Sequence, residues 1–204
     1  MDYTDFYLFA SRAYDSTFTA SPDIFKTALR EGRNDFDLNC HKFLLTGDYD
    51  YYRFPIVFHQ CDGKRLRDIL DTGFPSVYLI SERIVSILKE NEITGWSNYP
   101  IKLYDKKGNI IDGYSGFSVI GKGGVFSKFW DYGYNIEANE QFVKSRGRYD
   151  LSQWDGSDIF MVNKDIIITG RVMTLLKSNK VSAVEYELLT NLVDIIGEPR
   201  LSIR

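Results

Sequence analysis

The sequence predicts an α+β protein of mixed or antiparallel sheets with a few short helices, in which one strand–helix–strand unit occurs twice. An internal repeat is the main ground. Residues 78–95 and 166–183 run in parallel, and Ile80/Ile168, Arg83/Arg171, Leu88/Leu176, Lys89/Lys177 and Asn91/Asn179 are identical pairs, each 88 positions apart. Repeats report architecture more directly than activity. Each repeat helix carries an apolar stripe that needs a sheet to cover it. The chain of 204 residues is 44% apolar, enough for a packed core, and contains no Pro- or Ser-rich linker. We therefore expect one compact domain over residues 1–204, with two lobes, 1–125 and 126–204, as the alternative division.

Taken in order, Ser21-Pro22-Asp23 opens a predicted helix over 21–32. Ser21 is the cap, Pro22 takes the first helical position, and Gly32 is the stop. Ile24, Phe25, Ala28 and Leu29 share its apolar face. Residues 54–59 read as a strand that Pro55 places at an edge or a start. Residues 64–72 read as a short helix, with Leu66, Ile69 and Leu70 on one side.

The first repeat unit follows. Val77–Ile80 is a strand, Ser81 an N-cap, and Ile84, Val85, Ile87 and Leu88 a helical stripe that stops near Asn91. Trp96–Tyr104 returns as a strand, and Lys106-Lys107-Gly108-Asn109 makes a hairpin loop. Residues 126–157, rich in Gly, Asn, Tyr and Trp, show no clean period and read as short strands and loops. Asp158–Ile168 is strand-like with a bend at Asn163-Lys164-Asp165. The second helix spans roughly 170–179, and Val184–Ile196 is extended or mixed.

Net charge is −3, too small to select a partner. It is unevenly placed, because the first 60 residues hold nine acids against six bases, together with 14 of the 31 aromatics. The N-terminus lacks the basic and apolar regions of a signal peptide, and no apolar run reaches the ~18 residues that span a bilayer. With two cysteines, the expectation is a reduced, cytoplasmic protein without a disulfide framework.

Cys40-His41 and His59-Gln60-Cys61 supply ligand types that suit zinc, yet adjacent Cys40 and His41 on a strand would point to opposite faces. A metal-binding or hydrolytic enzyme built on Cys40, His41, His59 and Cys61 is the alternative function, and the expectation is no metal and no cofactor. Gly121-Lys122-Gly123-Gly124 lacks the spacing of a phosphate loop. Lys144, Arg146 and Arg148 form a small basic patch, but the acidic pI argues against a nucleic-acid partner. Two aromatic–acid clusters remain: Asp48-Tyr49-Asp50-Tyr51-Tyr52, and Trp130-Asp131-Tyr132 with Tyr134. Tyr and Trp dominate interface hot spots, and flanking carboxylates steer basic partners. Strand aromatics that fill a core would give the same pattern. The two readings separate on exposure.

The stretch from Asp68 to Gly108 resembles bacterial immunity proteins of polymorphic-toxin systems, namely immunity protein families 11 and 43. The residues that carry the resemblance are the apolar strand, the helix opening Ser81-Glu82-Arg83, the return at Tyr99-Pro100-Ile101, and then Gly108 and Tyr114. The resemblance covers about forty residues, and the second unit echoes it with Thr169-Gly170-Arg171 in place of Ser-Glu-Arg. It implies a non-enzymatic cytoplasmic inhibitor that binds a cognate toxin domain. On that reading Asp48, Tyr49, Asp50, Tyr51, Tyr52, Trp130, Asp131, Tyr132 and Tyr134 are the partner-binding residues, with no membrane or nucleic-acid partner. Self-association through the same aromatics is the remaining possibility.

Overall fold

The computed structural model describes residues 5–12, 16–33, 41–135 and 140–196; within these it describes all side chains except Phe25, 128–147 and 193–196. The chain is α+β. In order come β1 (Phe6–Ser11), β2 (Thr19–Pro22), α1 (Ile24–Arg30), α2 (His41–Thr46), a 3-10 turn at Tyr49–Tyr52, β3 (Val57–Asp62), β4 (Ile69–Asp71) and β5 (Tyr78–Ser81). Next are α3 (Glu82–Glu90), β6 (Trp96–Tyr99), β7 (Lys102–Tyr104), β8 (Tyr114–Val119), β9 (Val125–Asn135) and β10 (Glu140–Asp150). The chain continues with β11 (Ile159–Val162), β12 (Asp165–Thr169), α4 (Gly170–Ser178), β13 (Val184–Leu188) and β14 (Val193–Ile196).

The two repeats fold alike, and the likeness extends beyond them. One sheet has the order β4-β5-β8-β6 and another has β11-β12-β1-β13. Their registers match pair for pair. Tyr78 faces Phe117 as Ile166 faces Phe9, and Trp96 faces Val119 as Val184 faces Ser11. Lobe one is here the β4-β5-β8-β6 sheet with α3, and lobe two the β11-β12-β1-β13 sheet with α4. The third strand of lobe one, β8, follows its repeat unit in sequence. Its counterpart in lobe two is β1, from the other end of the chain. The sheets therefore partition the chain differently from a cut at residue 125: the N-terminal strand belongs with residues 158–188.

Both repeat helices end in the same way. Ile93 N–H donates to Leu88 C=O and Glu92 N–H to Lys89 C=O. Val181 repeats the first bond with Leu176, and Lys180 the second with Lys177. This double bond pattern defines a Schellman stop, and its left-handed residue is Glu92 (φ 50°) in one helix and Lys180 (φ 52°) in the other. Asn91 and Asn179 each add a side-chain bond, to Ile87 O and Leu175 O, both at 2.9 Å. At the start of α3, Ser81 Oγ accepts from Ile84 N–H at 3.4 Å, as the cap pattern predicts.

Among the described residues, three apolar cores flank the sheets. The central one joins Ile80, Ile84 and Leu88 to their counterparts Ile168, Val172 and Leu176, with Phe9 and Phe117 between the lobes at 6.2 Å. Beyond the first sheet, Leu70, Leu79 and Tyr99 pack with Phe58, Leu44 and Tyr52. Beyond the second, Phe160 and Ile167 pack with Tyr149, Leu151 and Trp154. Odd and even residues of β5 and β12 thus serve two cores, which explains their unbroken apolar runs.

Four local expectations give way to tertiary pairing. Ser21 and Pro22 lie in β2, opposite His59 and Phe58, so α1 begins only at Ile24 and Leu29 is 69% exposed. Residues 64–72 form no helix, because Ile69–Asp71 pairs with β5. Trp96–Tyr104 splits at Pro100 into β6 and β7, which join different sheets. In place of the short strands and loops expected over 126–157, residues 125–135 and 140–150 form two eleven-residue strands, β9 and β10, paired along their whole length. Among the described residues no helix is long and apolar enough to cross a membrane.

Candidate functional site

The 41–54 segment sits on the outer face of the first sheet. Leu44 and Leu45 of α2 are buried, and Ser118 Oγ donates to the Leu44 carbonyl. The following turn then divides its residues by depth. Tyr52 is 0% exposed and belongs to the core, so it leaves the expected surface set. Tyr49 stacks on Tyr99 at 5.5 Å, and Tyr51 stacks on Phe43 at 3.9 Å; both remain half-buried. Asp48 and Asp50 are exposed, and Asp48 Oδ2 accepts from Thr46 Oγ1 at 2.7 Å.

Cations share this surface with the acids. The Arg33 guanidinium lies 5.5 Å over the Tyr51 ring and donates to Tyr51 O at 3.4 Å, while Lys42 Nζ lies 4.9 Å over Phe43. Each contact uses the negative face of an aromatic ring. The patch is consequently a mixed one, with two exposed carboxylates beside two ring-bound cations. Such a surface can dock a protein through aromatic contact area and orient it through Asp48 and Asp50.

Behind the patch lies Tyr99, whose hydroxyl is buried without a hydrogen-bond partner among the described residues; burial alone pushes its pKa far up. Its ring fits because Gly116 opposite has no side chain: a Cβ there would come within 2.0 Å of the ring. Nothing in the local sequence announced this pairing of Tyr99 with Gly116.

No protein-family model matches the chain, and no curated protein matches it either. The chemistry therefore has to be read from the residues. The side chains of Trp130, Asp131, Tyr132 and Tyr134 lie outside the described residues, as does Cys40. The backbones of residues 130–134 lie in β9 and pair with β10, Trp130 opposite Ser145 and Tyr134 opposite Gln141.

The histidines stand apart in role. His41 opens α2 and stacks on Phe74 at 5.4 Å, whereas His59 in β3 stacks on Tyr104 at 5.4 Å. Among the described residues no group of three or more His, Cys, Asp or Glu side chains could hold a metal ion. His59 does line a cleft of about 290 Å³ with Ser21, Pro22, Asp23 and Lys26. The Asp23 carboxylate is 3.8 Å from His59 Nε2, beyond hydrogen-bond reach, and also faces Arg30 at 3.4 Å. Cys61 is exposed. Partial desolvation of its thiol nevertheless raises the pKa, an effect that the Ser21 hydrogen bond offsets only in part, and the raised pKa disfavours the nucleophilic thiolate.

Proposed function

We propose that this protein is a non-catalytic binding protein that neutralises a cognate bacterial toxin domain, docking it on the 41–54 surface. The observation that carries this reading is the pairing of exposed Asp48 and Asp50 with half-buried Tyr49 and Tyr51 on one short turn, anchored by fully buried Tyr52. An anchored aromatic loses little entropy when it is covered, and a neighbouring carboxylate raises the encounter rate with a basic partner. The resemblance of Asp68–Gly108 to immunity proteins supports the same reading and supplies the partner class.

The test is direct. The C-terminal domain of the protein encoded by the neighbouring upstream gene is expressed, and its toxicity and its binding to the full chain, by calorimetry, are measured. Tight one-to-one binding that Asp48→Lys and Asp50→Lys together weaken tenfold or more supports the proposal. Unchanged binding by that double variant removes the 41–54 surface, and no binding by the unaltered chain removes the toxin reading.

A further inference from the structure

Each lobe is a template for the other, and their outer faces differ. In lobe one, the 41–54 segment closes over Gly116, Ser118 and Tyr99, with α2 lying on β8. The shared registers put Leu8 where Gly116 stands, Ala10 where Ser118 stands, Glu185 where Ser97 stands and Glu187 where Tyr99 stands. In lobe two no counterpart of α2 covers these positions among the described residues. A groove of about 440 Å³ runs there instead, walled by β1, Arg12 and β13.

We propose that this groove docks a short amphipathic, cationic helix of a protein partner. The floor, Leu8 and Ala10, is half-buried and apolar, and Glu185 and Glu187 are exposed along the rim. Arg12 Nε meets Glu185 at 3.0 Å, while Glu187 has no cationic partner among the described residues. A lysine or arginine on the incoming element complements Glu187. A second copy of this chain fits poorly, because twofold pairing about β13 would set glutamate against glutamate. A helix is the favoured occupant because the equivalent face of lobe one already carries one, the six-residue α2 with Leu44 and Leu45 pressed inward. This surface lies on the other lobe from the 41–54 patch and does not depend on the toxin reading.

The probe is a short synthetic peptide with leucines at i, i+3, i+4 and i+7 and lysines elsewhere, titrated into the isotope-labelled full chain and followed by amide shifts. Shifts that cluster at Leu8, Ala10, Glu185 and Glu187, together with binding weakened at least tenfold by Glu185→Gln with Glu187→Gln, support the proposal. A melting curve of that variant matching the unaltered chain shows that the fold is kept. Absent binding, shifts spread over other acidic surfaces, or an equal loss from Glu92→Gln on the far end of α3 would overturn it. Concentration-dependent dimerisation that moves the same amides would overturn it in favour of a second copy.

Discussion

Asp158 and Thr94 hold each other across the two lobes. Thr94 N–H and Oγ1 both donate to Asp158 Oδ2 at 3.1 Å, and Asp158 N–H donates back to Thr94 Oγ1 at 3.0 Å. The same clasp recurs with the lobes exchanged. Ser182 N–H and Oγ donate to Asp68 Oδ2 at 2.8 Å, and Asp68 N–H donates to Ser182 Oγ at 3.1 Å. An arginine completes each: Arg171 bridges Asp158 to the Asn91 carbonyl, and Arg83 bridges Asp68 to the Asn179 carbonyl. Reciprocal contacts of this kind are the mark of an isologous interface, here closed inside one chain.

Removing either aspartate should cost similar stability. The Asp158 and Asp68 side chains are only 10% and 14% exposed, so Asp158→Ala or Asp68→Ala strands several donors. We expect a loss of about 2–4 kcal/mol for each in urea unfolding. A double-mutant cycle of Asp158→Ala with Thr94→Val should show coupling of about 1–2 kcal/mol. Costs under 0.5 kcal/mol would mean that the clasps are ornamental.

Acid should loosen the Asp68 clasp. Burial alone would raise the Asp68 pKa, but the Ser182 N–H and hydroxyl with Arg83 outweigh it and leave the pKa lowered. A lowered folded pKa contributes stability that is present above the unfolded value of about 3.9 and is lost as pH falls through the folded pKa. The stability gap between the unaltered chain and Asp68→Asn should therefore shrink as pH falls below about 4. A gap that stays constant from pH 7 to pH 3 would contradict this sign.

Equivalent positions should answer differently to the same change. Gly95 (φ 82°) and Ala183 (φ 63°) occupy matching left-handed sites, but a Cβ at Gly95 would lie 1.9 Å from the Ile159 carbonyl oxygen. Gly95→Ala should cost about 2 kcal/mol or more, through backbone displacement. Ala183→Gly should stay within about 1 kcal/mol, because relief of the left-handed penalty offsets greater unfolded-chain freedom. Thermal melts of both variants decide.

Depth should separate Tyr52 from the carboxylates of the 41–54 segment. Tyr52→Ala empties a fully buried site and should cost about 3–5 kcal/mol. Asp48→Lys and Asp50→Lys, at exposed positions, should change stability by less than about 0.5 kcal/mol. Substantial unfolding by either lysine substitution would mean that the carboxylates serve the fold.

Much of this was legible in the chain. The repeat helices announced themselves through Ser81, their apolar stripes and Asn91 or Asn179, because capping and periodicity are local. The bend at Asn163 likewise stood out, and its φ of 59° confirms the turn. Residues 64–72 misled because Leu66, Ile69 and Leu70 have helical spacing, yet pairing of Ile69 with Ile80 outweighed it. Ser21 and Pro22 make a sound helix start, but the ladder with His59 and Phe58 claimed them. In the aromatic cluster the alternation of Tyr and Asp could not say which ring turns inward, and packing chose Tyr52.

By itself the sequence determined two strand–helix units, their stops, and a shared apolar rhythm, since each depends on neighbours within a few residues. Only the tertiary structure decided that the lobes grip each other reciprocally and that β1 completes the second. The strand matching β1 is β8, which lies on the opposite side of its repeat in sequence and shares with β1 only the Phe9/Phe117 identity. Hydrogen-bond registry between strands far apart in the chain depends on backbone geometry, which side-chain identity only weakly encodes.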